Sequence, residues 1–225
     1  MLNIHNVSPF KYFELKRFRH YCNSTLILNG VDDKHSRGEI TNCLEALYSG
    51  KNRHYHTWYH ILFMFDKAIE YFPGPNPGDA IDSKTFLTPS ELLAILFHDA
   101  IYVPDQKDNE GRSIDLMVSL MAGFGVPLTE FCWASRCIKE TANFNSIVRD
   151  ESTHAVLDLD LCALANPYND FIIQNRLISK EFPNIPEIKR KKFLYQFLSK
   201  KKIFYKLTHL EEKARNNIKK YVENP

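Results

Sequence analysis

The chain has no excess of either charge, no paired cysteines and no long apolar run, and each absence removes a class of protein. Its 29 basic and 27 acidic residues leave a net charge of +2 over 225 residues. That field is too weak to imply a nucleic acid or a membrane surface as partner. The five cysteines, Cys22, Cys43, Cys132, Cys137 and Cys162, are odd in number, scattered and never spaced C-x-x-C. Neither a disulfide framework nor a thiolate zinc site is signalled, and reduced thiols in the cytoplasm are the expectation. No stretch reaches the ~18–20 apolar residues of a membrane span, and the start MLNIHNVSPFKYFELKRFRH has no uninterrupted apolar stretch behind a basic start. No fixed-period repeat, low-complexity tract or run of hairpin-linked strands is present, which sets aside solenoid, fibrous and all-β readings.

What is present is helical periodicity, and a hydrophobic content of 44% suffices for one core spanning residues 1–225. The expected class is therefore all-α, as a single domain. YHILFMFDKAIEYF puts Ile61, Met64, Phe65, Ala68, Ile69 and Phe72 on one face, as core packing requires. TPSELLAILFHDAIY opens with Thr88, Pro89 and Glu91, a capping-box start, and this helix should stop before Pro104, with His98 and Asp99 in its last turns. SIDLMVSLMAGFGV and FCWASRCIKETANF read as two more helices. From 192 onward Phe193, Leu194, Phe197 and Leu198, then Phe204, Leu207 and Leu210, fall on helical faces opposite lysines read as a solvated surface. The turn-rich stretch 73–88 reads as a surface loop, with a mobile flap as the alternative. VLDLDL alternates like a strand, but beside so many helices it reads better as a helix start or an extended turn.

Chemistry concentrates in three places. His98 and Asp99 sit in an apolar stretch, where a carboxylate is costly unless it is paired, hydrogen-bonded or coordinated to a cation. NRHYHTWYHI carries His54, His56 and His60; on a helix, His56 and His60 would share one face. Thr57 stands where a zinc protease of that spacing has its glutamate, so that reading fails. Asp158 and Asp160 are the next carboxylates needing a partner. Imidazoles and carboxylates together suit Mn, Fe, Co, Ni or Zn better than Ca, and leave positions for water on the ion. Such an ion activates water and stabilises charge on a phosphoryl oxygen, while a histidine outside the ligand set protonates the leaving oxygen.

The ordered pieces His60, the pair His98 and Asp99, and Asp160 resemble the H…HD…D signature of the HD superfamily of metal-dependent phosphohydrolases. More narrowly, LYSGKNRHYHTWYHI, FHDAIYVPDQKDNEGRS, LDLDLCALA and IFYKLTHLEEKARNNI are similar to blocks of a bacterial subfamily of predicted HD phosphohydrolases, over about Leu44 to Ile218. The resemblance implies a helical HD-domain bundle with His60, His98, Asp99 and Asp160 holding a divalent metal (Mn, Fe, Co, Ni, Zn or Mg). It also implies His56 as general acid, although geometry alone does not separate the roles of His56 and His60. Asp158 is the alternative to Asp160. Asp99 and Glu110 complete the expected catalytic group, with Glu110 orienting water or supporting the ligands. Arg53 is expected as a phosphate clamp and Asn109 as a substrate contact, against a reading of DNE as a helix cap and of Arg53 as a surface ion-pair residue.

The chain departs from the subfamily twice. Asn143 or Asn145 stands near a position where relatives commonly have histidine, which weighs against a second metal, and Ser179 replaces an arginine, which implies altered substrate contacts or drifted activity. The expected activity is hydrolysis of a phosphomonoester or phosphodiester, of a nucleotide-like small molecule. The rival is a noncatalytic metal-binding or nucleotide-sensing module. An RNA-directed hydrolase would need a coherent basic groove.

Overall fold

A computed structural model describes residues 9–75, 84–104, 106–142 and 153–223. Ten α-helices have described bounds: α1 (Pro9–Leu28), α2 (Lys34–Tyr48), α3 (Trp58–Tyr71), α4 (Pro89–Phe97), α5 (Asn109–Met121), α6 (Leu128–Thr141), α7 (His154–Leu161), α8 (Tyr168–Glu181), α9 (Glu187–Ser199) and α10 (Glu211–Glu223). Among the described residues there is no strand, only one isolated bridge between Pro73 and Thr85. The class is all-α.

The bundle is organised around α4, whose residues Ser90 to Phe97 are all buried. A helix apolar on every side has no solvent face and must be surrounded; α1, α3, α5, α6 and α7 all pack on it. Its start is the expected one: the Thr88 side chain accepts from the Glu91 N–H, the Glu91 carboxylate accepts from the Thr88 N–H, and Pro89 opens the first turn. Its end comes earlier than the sequence suggests. The last helical residue is Phe97; His98 is the cap, and Asp99 lies beyond it in a turn. Side chains from elsewhere take carbonyls in the last turn and in the turn beyond it. The Tyr48 hydroxyl donates to Leu96 O at 2.9 Å, and Arg53 donates to Asp99 O and Ala100 O, both at 2.8 Å.

On α3, Ile61, Met64, Phe65 and Ala68 are buried as expected. The C-terminal region is less regular than its periodicity implies. Phe204 and Leu207 are buried but lie outside any helix, and Leu210 closes a short 3-10 turn. Two carboxylates hold this segment instead: Glu211 accepts from the N–H groups of Ile203 and Phe204, and Asp158 from those of Tyr205, Lys206 and Leu207. Phe193, expected on the inner face of α9, is 53% exposed. The stretch 73–88 is pinned at its two ends, where Gly74 N–H donates to Lys84 O and Phe86 N–H to Phe72 O. Residues 76–83 of that stretch lie outside the described residues, as do Asn143 and Asn145.

Candidate metal centre

Three elements converge on one point: the first turn of α3, the turn after α4, and the last turn of α7. His60 Nε2 lies 3.3 Å from His98 Nε2 and 3.1 Å from Asp160 Oδ1, and His98 Nε2 lies 3.2 Å from Asp99 Oδ2. The longer edges, His98 to Asp160 and His60 to Asp99, are 3.8 and 4.0 Å. Neighbouring ligands of an octahedral ion bound at ~2.1 Å are about 3.0 Å apart, which the three short edges approach. The His60, His98 and Asp160 cluster could thus hold a metal ion, with Asp99 beside it.

The donor chemistry fits as well. Both imidazoles are buried and aim Nε2 at each other. Two nitrogen lone pairs at that separation repel unless a proton or a cation lies near them. His98 Nδ1 is held at 3.0 Å from Ile95 O, so it carries the proton there and leaves Nε2 as the free donor. Without a cation a proton fills the role. Burial works against charging His98, but the Asp99 carboxylate outweighs it and pushes the imidazole up to about 9. Burial moves His60 the other way, below its ordinary value, and its Nδ1 has no hydrogen-bond partner among the described residues.

Asp158 and Asp160 are two apart on a helix and so face apart by roughly 200°. Asp160 meets the histidines, whereas Asp158 is fully buried and accepts from three backbone N–H groups. Burial still raises the Asp158 pKa, so that charge is costly, and the backbone donors with His154 offset it only in part.

His56 reaches the centre by a different route from the helical one. It precedes Thr57, the cap of α3, and is not on the helix at all. Its ring lies 5.7 Å from that of His60 and stacks on Tyr102 at 4.4 Å. Glu181, at the end of α8, holds it there. The Glu181 carboxylate accepts from the N–H groups of His54, Tyr55 and His56 at 2.6, 2.7 and 3.0 Å, and meets His56 Nδ1 at 2.5 Å. Burial opposes charging His56, but the carboxylates of Asp99 and Glu181 outweigh it and raise its pKa. Burial would also raise Glu181; His56 and the backbone donors prevail and hold it low. Sequence reasoning passed over Glu181. The one local signal was an acid in the last turn of a helix, where the dipole disfavours it and some other partner must explain it.

Arg53 and Asn109 correct the sequence reading. The Arg53 guanidinium donates to the carbonyls of His56, Asp99 and Ala100, each at 2.8 Å, and lies over the Tyr48 and Tyr102 rings. It ties the His56 turn to the Asp99 turn rather than facing a ligand. Asn109 is buried and clasps the loop before α5, accepting from Val103 N–H and donating to Val103 O, both at 3.0 Å. Glu110 is on the cavity wall, its pKa raised by burial and by the charges of Asp99 and Asp160. Ser179 donates back to Asn175 O within α8.

A cavity of about 540 Å³ opens beside the cluster, and His56, His98, Asp99, Glu110 and Asp160 line it at this end. No family model, curated protein or solved structure matches the chain. The chemistry must be argued from these side chains.

Proposed function

We propose that the protein is a metal-dependent phosphohydrolase of the HD type, acting on a phosphate ester of a small molecule. The observation that carries the reading is the convergence of His60, His98, Asp99 and Asp160 at the end of a cavity. The ordered H…HD…D resemblance adds the reaction class. A divalent ion held by these four residues would activate water and neutralise charge building on the phosphoryl oxygens.

The chain's own residues then have distinct tasks. His56, with Nδ1 committed to Glu181, has Nε2 left to give a proton to the leaving oxygen. Glu181 fixes that imidazole's orientation and favours its protonated form. Glu110, which lines the same cavity, would accept a hydrogen bond from the attacking water. Arg53 keeps the acid and the ligand turn in register through their carbonyls. A nucleotide-like ester is one candidate substrate, and the cavity accommodates a drug-sized organic group.

The test is metal content with activity. Purified protein should hold about one transition metal per chain, as one four-residue ligand set implies, and Asp160→Ala should lose it. A panel of phosphomonoesters and phosphodiesters with Mn, Co, Ni, Fe, Zn and Mg should give turnover that His56→Ala abolishes while metal is retained. Metal binding without turnover of any ester would favour the sensing module, and metal retained by Asp160→Ala would overturn the site.

A further inference from the structure

Away from the ligands the cavity changes character. Its other wall comes from α8 and α9 and is apolar and aromatic, with Phe171, Ile178, Phe182, Leu194 and Phe197 among its lining residues. Two cations, Lys189 and Arg190, also line it, from the first turn of α9. That helix packs against α10 rather than on α3, α4 or α7, so these cations belong to a separate wall from Asp99, Asp160 and Glu110. Neither has an acidic side-chain partner among the described residues. The nearest acid in sequence, Glu187, is engaged by Lys191 at 3.9 Å. Arg190 Nη1 donates to Ile185 O, yet its Nε is sealed from solvent with no acceptor. Lys189 is exposed at the cavity's edge.

A chamber walled by apolar groups focuses the field of the charges at its ends. On the phosphohydrolase reading one end takes a cation and a phosphoryl group; the other holds cations of its own, Lys189 and Arg190. A ligand with one anionic head and a neutral tail would leave the second end without counter-charge. We propose that the substrate is a two-headed anion: a phosphate ester whose organic part lies along the aromatic wall and ends in a second phosphate or a carboxylate, received by Lys189 and Arg190. The inference rests on the phosphohydrolase reading for the first head alone.

Binding of non-hydrolysable analogues tests it without turnover. Alkyl monophosphonates, α,ω-alkyl bisphosphonates and ω-carboxyalkyl phosphonates of increasing chain length are titrated into Mn-loaded protein by calorimetry. At the length that spans the chamber, a second head should tighten binding about ten-fold, the worth of one charge-assisted hydrogen bond. The bisphosphonate and carboxylate arms separate the two kinds of second head. Lys189→Glu should erase that ratio and Arg190→Lys should reduce it, whereas Lys16→Glu, the same charge change on α1, should leave it intact. If no chain length gives a gain, or if the gain survives Lys189→Glu, the inference falls. Monophosphonate binding that chelator abolishes would show that the metal end stands regardless; no phosphonate binding at all would bring down both.

Discussion

Around Asp99 nearly every polar atom is committed, while across the chamber the α9 wall leaves a lysine and a guanidinium nitrogen unspent. On the ligand side Arg53 holds three carbonyls, Glu181 holds three N–H groups and His56, and His98 is fixed through Ile95 O. On the other side apolar side chains dominate, and Lys189 and Arg190 have no acidic side-chain partner among the described residues. Reacting groups gain from fixed geometry, because a misplacement of ~1 Å can cost 10²-fold in rate. A wall that only selects its ligand can work by shape and charge.

The sharpest way to break the comparison is within α7. Asp158→Ala strips the partner from the N–H groups of Tyr205, Lys206 and Leu207 in a buried place, and should cost at least about 3 kcal/mol. Asp160→Ala removes a carboxylate with no such duty and should leave metal-free stability almost unchanged. Denaturant titration of both in chelator checks this; equal losses would mean that Asp160 is structural too.

Next in size is the brace. Arg53→Lys keeps the charge but cannot reach three carbonyls with one ammonium. It should weaken metal affinity roughly 10–100-fold, as loss of a supporting contact does, read by competition with a chromogenic chelator. Glu181→Gln keeps the shape and removes the charge that helps to hold the His56 pKa up. Any activity that needs protonated His56 should then fail at lower pH: the alkaline limb of the rate profile moves down while bound metal stays. An unmoved limb would separate Glu181 from proton transfer.

Much of the ligand side was legible because its signals are local. The Thr88 and Glu91 box starts α4 where the spacing says, and His60, His98 and Asp160, which the resemblance singled out, come together with Asp99 beside them. What was not legible depends on contacts far apart in sequence. Glu181 is 127 residues from His54, and Arg53 is 46 from Asp99. No periodicity reports such pairs, so Arg53 read as a phosphate clamp when its donors tie two turns together through the carbonyls of His56, Asp99 and Ala100. Phe204 and Leu207 misled for a related reason. Their spacing fits a helix, but the carboxylates of Asp158 and Glu211 satisfy the backbone another way.

The smallest effect concerns the proton held where a metal ion would sit. In metal-free protein His98 titrates at about 9, above the ordinary 6.5. A group whose folded pKa is raised adds stability that is complete below its unfolded value and is lost as the pH rises through the folded one. The melting temperature in chelator should therefore fall between about pH 6.5 and 9. A bound ion needs His98 neutral, so saturation with metal should flatten that fall. The same linkage requires binding to expel the proton: about one per site near pH 7 and fewer as the pH approaches 9, counted by calorimetry in buffers of different ionisation enthalpy. A metal that binds near neutral pH without releasing a proton would not be using His98. The committed side of the chamber would then be committed to something other than a cation.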